Sequence, residues 1–193
     1  ISRLENLLTN RCKEYSDGTD FMDVDYDAVK HALGQNEVLI EFTDYISQSQ
    51  GRKYAAYIIN KVQGYPLLKA LFAERQIYSL GIVRPDMYYS EDYSGDVLKL
   101  LWEPLKENVS EGATIYYVPS QLLFQVSLES LPLPDGSLLG SHYHFVRLSS
   151  ARELVKMKSN AIGCKDDTAV LYGGLQYDVE TTAMAEESKK YDL

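Results

Sequence analysis

The chain is short of the residues that most catalytic chemistry needs. Two cysteines, Cys12 and Cys164, stand far apart in 193 residues, with no CxxC spacing and no histidine close by in sequence. That excludes a zinc knuckle, a thioredoxin-type redox pair and a disulfide-rich scaffold. The two read as reduced thiols, with a mutual disulfide or a catalytic cysteine as the alternatives. Histidine is scarce as well: His31, His142 and His144 are the three, and glycine follows none of them. Cations are outnumbered, 19 Lys and Arg against 28 Asp and Glu, for a net charge of -9. With no basic cluster standing out, nucleic acid is not an expected partner. No apolar run approaches the roughly 20 residues that cross a bilayer, so no membrane partner is expected. The first residues lack the charged-then-apolar layout of a secretory leader, which makes the cytoplasm the expected location. Ile1 at the start reads as a processed or excised segment and leaves an upstream leader open.

What the chain does have is core. Hydrophobic residues make up 45%, and 16 tyrosines are spread along the length, enough for one globular domain or one and a half. The segment LENLLTNRCKEY carries Leu4, Leu7, Leu8 and Cys12 at helical spacing and stops at Ser16-Asp17-Gly18. DVDYDAVKHALG predicts a second, short helix with aspartates at its front and Gly34 as a left-handed C-terminal cap. EVLIEFTDY and KYAAYIINKV are β-prone runs on either side of the polar joint ISQSQGR, so residues 35–62 are expected to be sheet. PLLKALFAERQIYSL, with Leu67, Leu68, Leu71 and Phe72 at helical intervals and Pro66 in the first turn, predicts a helix. The tyrosine-rich RPDMYYSEDYSG reads as a loop. DVLKLLWEPLKENV predicts a helix capped by Ser94 or Asp96, kinked just before Pro104 with Trp102 on the bend.

After Gly112 comes a strand, TIYYV, ending at Pro119, and then another apolar run, LLFQVSLESL. The Asp135-Gly136 pair marks a reversal. HYHFVRL alternates as a strand should, and Ser150 to Glu153 has the pattern of a capping box opening the helix ARELVKMKSN. A last strand, TAVLYGG, precedes a polar Glu- and Lys-rich end. Strands interleaved with helices predict an α/β fold, a mixed or mostly parallel sheet between helices.

The ordered series WEPL, TIYYVPSQLLFQVSLESL, PDGSLLGSHYHFVRLSSARELV and AVLYGGLQYDV resembles the CHAT domain, a caspase-like module often found behind tetratricopeptide repeats. Pro119, Ser120, Gln121 and Leu122 occupy the corner after the strand. Val126, Ser127, Leu128 and Leu131 occupy the next element, and Asp135, Gly136, Tyr143, Leu148, Ser149, Ser150 and Leu154 the last. Two positions depart from the family: Gln121 stands where glycine is favoured, Ser127 where proline is. The resemblance implies a caspase-like three-layer sandwich in a cysteine peptidase using a His-Cys dyad, the His in a His-Gly motif. That dyad lies after the AVLYGG-like strand in the family. It further implies a lead-in over residues 1–23, a non-catalytic subdomain over 24–163, and the first strand of the catalytic half in 164–193. This chain would then be an N-terminal scaffold, inactive alone, within a cytoplasmic cysteine endopeptidase. Its expected partners are the remainder of its catalytic half, upstream helical repeats, and a protein or peptide substrate. The alternative is a non-catalytic interaction module with a degenerate caspase-like fold. A free-standing nucleotide- or metabolite-binding domain is disfavoured, because Gly173-Gly174 belongs to no phosphate-binding motif.

No catalytic, cofactor-binding or metal-ligating residue is assigned. His31 reads as a helix-end histidine. His142 and His144 alternate on one strand, without other ligands at zinc spacing. The tyrosines read as half-buried strand and interface residues. Asn108-Val-Ser110 matches a glycosylation acceptor, a pattern that recurs by chance. The Tyr191-Asp192-Leu193 end reads either as a processing point or as a plain segment boundary.

Overall fold

The computed structural model describes residues 24–159. They all belong to one unit of the chain, Ile1–Ala161; the other, Ile162–Leu193, lies wholly outside them. The expected lead-in helix, the TAVLYGG strand, the Gly173-Gly174 turn, the Glu- and Lys-rich end and both cysteines fall outside the described residues.

The sheet grows from a local hairpin. Strands β1 (Glu37–Ser47) and β2 (Gly51–Asn60) pair antiparallel, Ser47 opposite Gly51, and Gly51 takes φ +70° to close the turn. The segment read as a helix from Pro66 is instead strand β3 (Leu67–Ala73), antiparallel to β2 with Leu68 opposite Tyr57. Apolar residues at 67, 68, 71 and 72 satisfy a helical stripe, but a short run does so by accident, and the open edge of β2 supplies a ladder that decides the matter. Helix α2 (Glu74–Ser79) is all that remains of that expectation.

A short 3₁₀ turn (Pro85–Tyr89) leads into α3 (Glu91–Leu101), which begins before the expected caps: Ser90 stands at the N-cap, and Ser94 is buried inside the helix. The break near Pro104 is as expected, with Trp102 on it. Helix α3 ends at Leu101 and a four-residue α4 (Glu103–Lys106) starts anew with Pro104 in its first turn, where a missing N–H costs nothing. Strand β4 (Thr114–Val118) then lies parallel to β1, Glu37 opposite Thr114 and Glu41 opposite Val118. Past Pro119 the apolar run forms two 3₁₀ turns, Gln121–Gln125 and Leu128–Ser130, and no strand. The Asp135-Gly136 reversal is present: Gly136 sits at φ +83° and Asp135 accepts from the Ser137 N–H at 2.9 Å. Strand β5 (His144–Arg147) is parallel to β4, and α5 (Ala151–Ser159) follows. Its capping box is shifted by one residue: Glu153 accepts from the N–H and hydroxyl of Ser149, not from the N–H of Ser150.

Among the described residues the result is a mixed five-stranded sheet, order β3-β2-β1-β4-β5, with helices on both faces. Alternation sorts the side chains. On one face Ile40, Phe42, Ile58, Ile115 and Tyr117 pack under α2 to α4 and the 3₁₀ turns, joined by Val126, Leu128 and Leu131. Trp102 is buried there, its ring edge-on to Tyr143 at 4.9 Å. On the other face Leu39, Ile59, Tyr116 and Val118 pack against α1 (Tyr26–Ala32) and α5 through Val29, Leu33, Leu148 and Leu154. Each fully buried aliphatic adds about 1.5–3 kcal/mol relative to exposure.

Helix α1 starts as expected, Asp25 accepting from the Ala28 N–H at 2.8 Å. Its end corrects the expectation of a left-handed Gly34: the chain leaves through Leu33 in extended backbone (φ -71°, ψ 139°), and the Gly34 N–H donates to Glu37 at 2.7 Å. A Cβ at Gly34 would press on the Glu37 side chain at 3.2 Å, so what the glycine provides is room.

Candidate functional site

In open sheets with parallel strands, function concentrates where the strands end. Here that place is the corner after β4. Strand β1 runs on past the last β4 pairing, so Asp44 projects beyond Val118 and meets the chain emerging from Pro119. The Ser120 hydroxyl donates to Asp44 Oδ1 at 2.6 Å. Arg52, diagonal to Asp44 across the hairpin, donates to Oδ2 of the same carboxylate, and its Nε lies 4.0 Å from Glu74 at the start of α2. Tyr54 donates its phenol to Glu74 Oε1 at 3.2 Å, and its oxygen accepts the Leu122 N–H at 3.4 Å. Five polar side chains from β1, β2, α2 and the corner thus form one connected set.

Between Ser120 and Leu122 stands Gln121, at φ +48°, the one non-glycine residue with positive φ among those described. An L side chain there crowds its own backbone, a strain of roughly 1–2 kcal/mol. The bonds at Ser120 and Leu122 on either side hold it in place.

The electrostatics are those of a closed joint. Burial raises the Tyr54 phenol to about 12; the Leu122 N–H opposes the rise, and the Glu74 charge reinforces it. Asp44 has both oxygens engaged and Glu74 both of its own. This arrangement presents no free base or nucleophile; what it does is fix the corner. Close by, the Tyr117 phenol donates to Glu129 at 3.1 Å and is pushed up by burial and that carboxylate. Arg147 lies over the exposed Phe124 ring at 5.6 Å and donates to the Phe124 carbonyl at 3.0 Å, tying β5 to the Gln121–Gln125 turn.

A second polar joint fastens α5 to the sheet. Lys158 pairs with Glu37 at 2.7 Å and stands over the Tyr116 ring at 5.4 Å, and Tyr116 donates to the same carboxylate at 3.3 Å. Burial would raise Glu37, but Lys158, the Gly34 N–H and Tyr116 together hold it below its ordinary value. The hydrogen bond to Glu37 raises Lys158.

The three histidines are not brought together as a site. His31 Nδ1 lies 2.6 Å from its own helix's Asp27 carbonyl. His142 is not in a strand; it follows a 3₁₀ turn (Leu139–Ser141), with Nε2 3.0 Å from Ser137 Oγ. His144 opens β5 as an exposed residue. Among the described residues no group of three or more His, Cys, Asp or Glu could hold a metal ion. Asn108 of the glycosylation pattern has its Nδ2 buried without a hydrogen-bond partner.

The Asp44 cluster has no signature in the sequence, since Ser120 and Asp44 lie 76 positions apart. Only hairpin register could have suggested its Asp44–Arg52 part. No protein-family model matches the chain, and no curated protein matches it in sequence.

Proposed function

We propose that this chain is the N-terminal, non-catalytic portion of a CHAT-type, caspase-like cysteine peptidase, a scaffold whose reactive dyad lies elsewhere in the protein. The observation that carries the reading is the backbone at Gln121. The resemblance puts glycine at this position, and here the chain keeps a left-handed φ of +48° although the residue is glutamine. A position that departs from the family in side chain but keeps the conformation glycine serves is what a shared corner predicts. Other positions of the resemblance fall at turns or in the core. Pro119 ends β4, Asp135 and Gly136 make the reversal, and Val126, Leu128, Leu131, Leu148 and Leu154 are buried.

The role fits the chemistry of the corner, whose polar groups are spent on one another. Scaffolding asks for a rigid sheet and nothing reactive. Incubating the purified chain with casein, with and without iodoacetamide, tests this: no cleavage is expected, and thiol-blocked cleavage by the chain alone overturns it. The coding sequence after Leu193 gives a second test. A His-Gly followed by a later cysteine after apolar runs is expected, and the lack of both assigns the fold to an interaction module.

A further inference from the structure

Residues 47–80 carry five cations, Arg52, Lys53, Lys61, Lys69 and Arg75, against the single carboxylate of Glu74, in a chain of net charge -9. The β2–β3 pairing carries them to one lateral side of the sheet. Arg52 belongs to the corner cluster, and Lys61 donates to the His31 carbonyl at 2.8 Å. Lys53, Lys69 and Arg75 have no counter-ion among the described residues.

Lys69 lies on β3, the edge strand among the described residues, Arg75 just past its end, and Lys53 on β2 opposite Ala73. Strand β3 is the terminal strand of the order, seven residues long, and no described strand pairs with its outer side. Leu68 beside that edge is 54% exposed, and Tyr57 across from it is exposed too. The β2–β3 register shifts between Lys53 and Ala55. Close to this irregularity lies a recess of about 360 Å³, lined by Lys53 and Arg75 together with Tyr45, Ala70 and Leu71.

We propose that the outer edge of β3 binds an extended acidic peptide segment, which adds to the sheet as a further strand and seats a carboxylate between Lys53 and Arg75. Main-chain hydrogen bonds along Leu67–Ala73 supply the docking, and alternate side chains supply the choice of partner. Lys69 stands on the Ala56 face of the edge, and Leu68 and Lys53 on the Tyr57 face, so the strand needs acidic residues toward Lys69 and, on the other face, an apolar residue at Leu68 with a carboxylate past it toward Lys53. A second copy of this chain is a poor occupant, because β3 paired with β3 sets Lys69, near the middle of the strand, beside its own counterpart. An anionic polymer or lipid surface would use the charges but neither the unpaired backbone nor Leu68. This inference is independent of the proposed peptidase scaffold.

The test uses the whole chain and a fluorescein-labelled peptide of alternating Glu and Val that ends in Glu-Glu, so that a carboxylate is offered to each face, read by fluorescence anisotropy at low salt. Saturable binding is expected, weakened at least about tenfold by Lys53→Glu combined with Arg75→Glu, with unchanged thermal unfolding confirming the fold. The same peptide N-methylated at alternate backbone amides should lose binding to a similar degree, since it keeps the charge but cannot form the ladder. Equal binding of the N-methylated peptide, of oligo-dT or of phosphatidylserine vesicles overturns the proposal. So does binding that the charge reversals leave unmoved, and so does a dimer that the peptide dissociates, which would give the edge to a second copy.

Discussion

Ser120 and Asp44, 76 positions apart, are joined by a 2.6 Å hydrogen bond beyond the point where the β1–β4 ladder stops. It closes the end of the parallel pair, and Arg52 on the other Asp44 oxygen extends the closure into the hairpin.

Removing Asp44 should therefore loosen three segments at once. Asp44→Ala is expected to cost about 1–3 kcal/mol and Ser120→Ala about 1 kcal/mol, the pair being partly exposed and discounted accordingly. Urea unfolding of Asp44→Ala, Arg52→Ala and the double variant checks this. A double-variant cost below the sum of the singles shows coupling; strict additivity would mean the ion pair contributes nothing to the joint.

Gln121 gives a prediction of opposite sign. Gln121→Gly relieves the left-handed strain and should stabilise the chain by about 1 kcal/mol, raising the thermal midpoint by roughly 2–4 °C. Gln121→Val should lower it, since a β-branched side chain suits that backbone least. A lower midpoint for the glycine variant would show that the glutamine side chain, not the backbone, fixes the corner.

The Glu37–Lys158 joint sets a pH dependence. Glu37 is held below its ordinary 4.5, so its contribution is present above that value and is lost as pH falls through the lowered one. Lys158 is raised above 10.5, so its contribution is full below 10.5 and is lost as pH rises through the raised value. Glu37→Gln should flatten the acid limb of a stability profile taken by urea midpoints from about pH 3 to pH 7. An acid limb as steep as that of the unaltered chain would place the titrating carboxylate elsewhere.

Where local pattern and tertiary demand agreed, the sequence was readable. The runs of β1, β2 and β4 are rich in β-branched and aromatic residues and form strands, and Asp135-Gly136 turns because glycine supplies the positive φ. The α/β class followed from their interleaving with helices. Strand β3 reads as helix because Leu67, Leu68, Leu71 and Phe72 make a helical stripe, and only pairing with Tyr57 and Ala55 decides for a strand. The tyrosine-rich stretch 84–95 reads as loop, yet it forms a 3₁₀ turn and the first residues of α3 and tucks Tyr88 into the core. Of the corner, the residue series singled out Gln121 but not its strain, and nothing local announced Asp44, Arg52 or Glu74, whose meeting depends on three crossings of the sheet.

The mixed sheet also has two histories. Strands β1, β2 and β3 are joined by short turns and can meet within microseconds, whereas β4 must close a long loop before it reaches β1. Pulsed hydrogen exchange during refolding should protect Leu39 and Ile58 before Ile115. Until then β1 stands with one flank bare, and the nascent chain is most prone to stick to its neighbours at the strand that later becomes its centre.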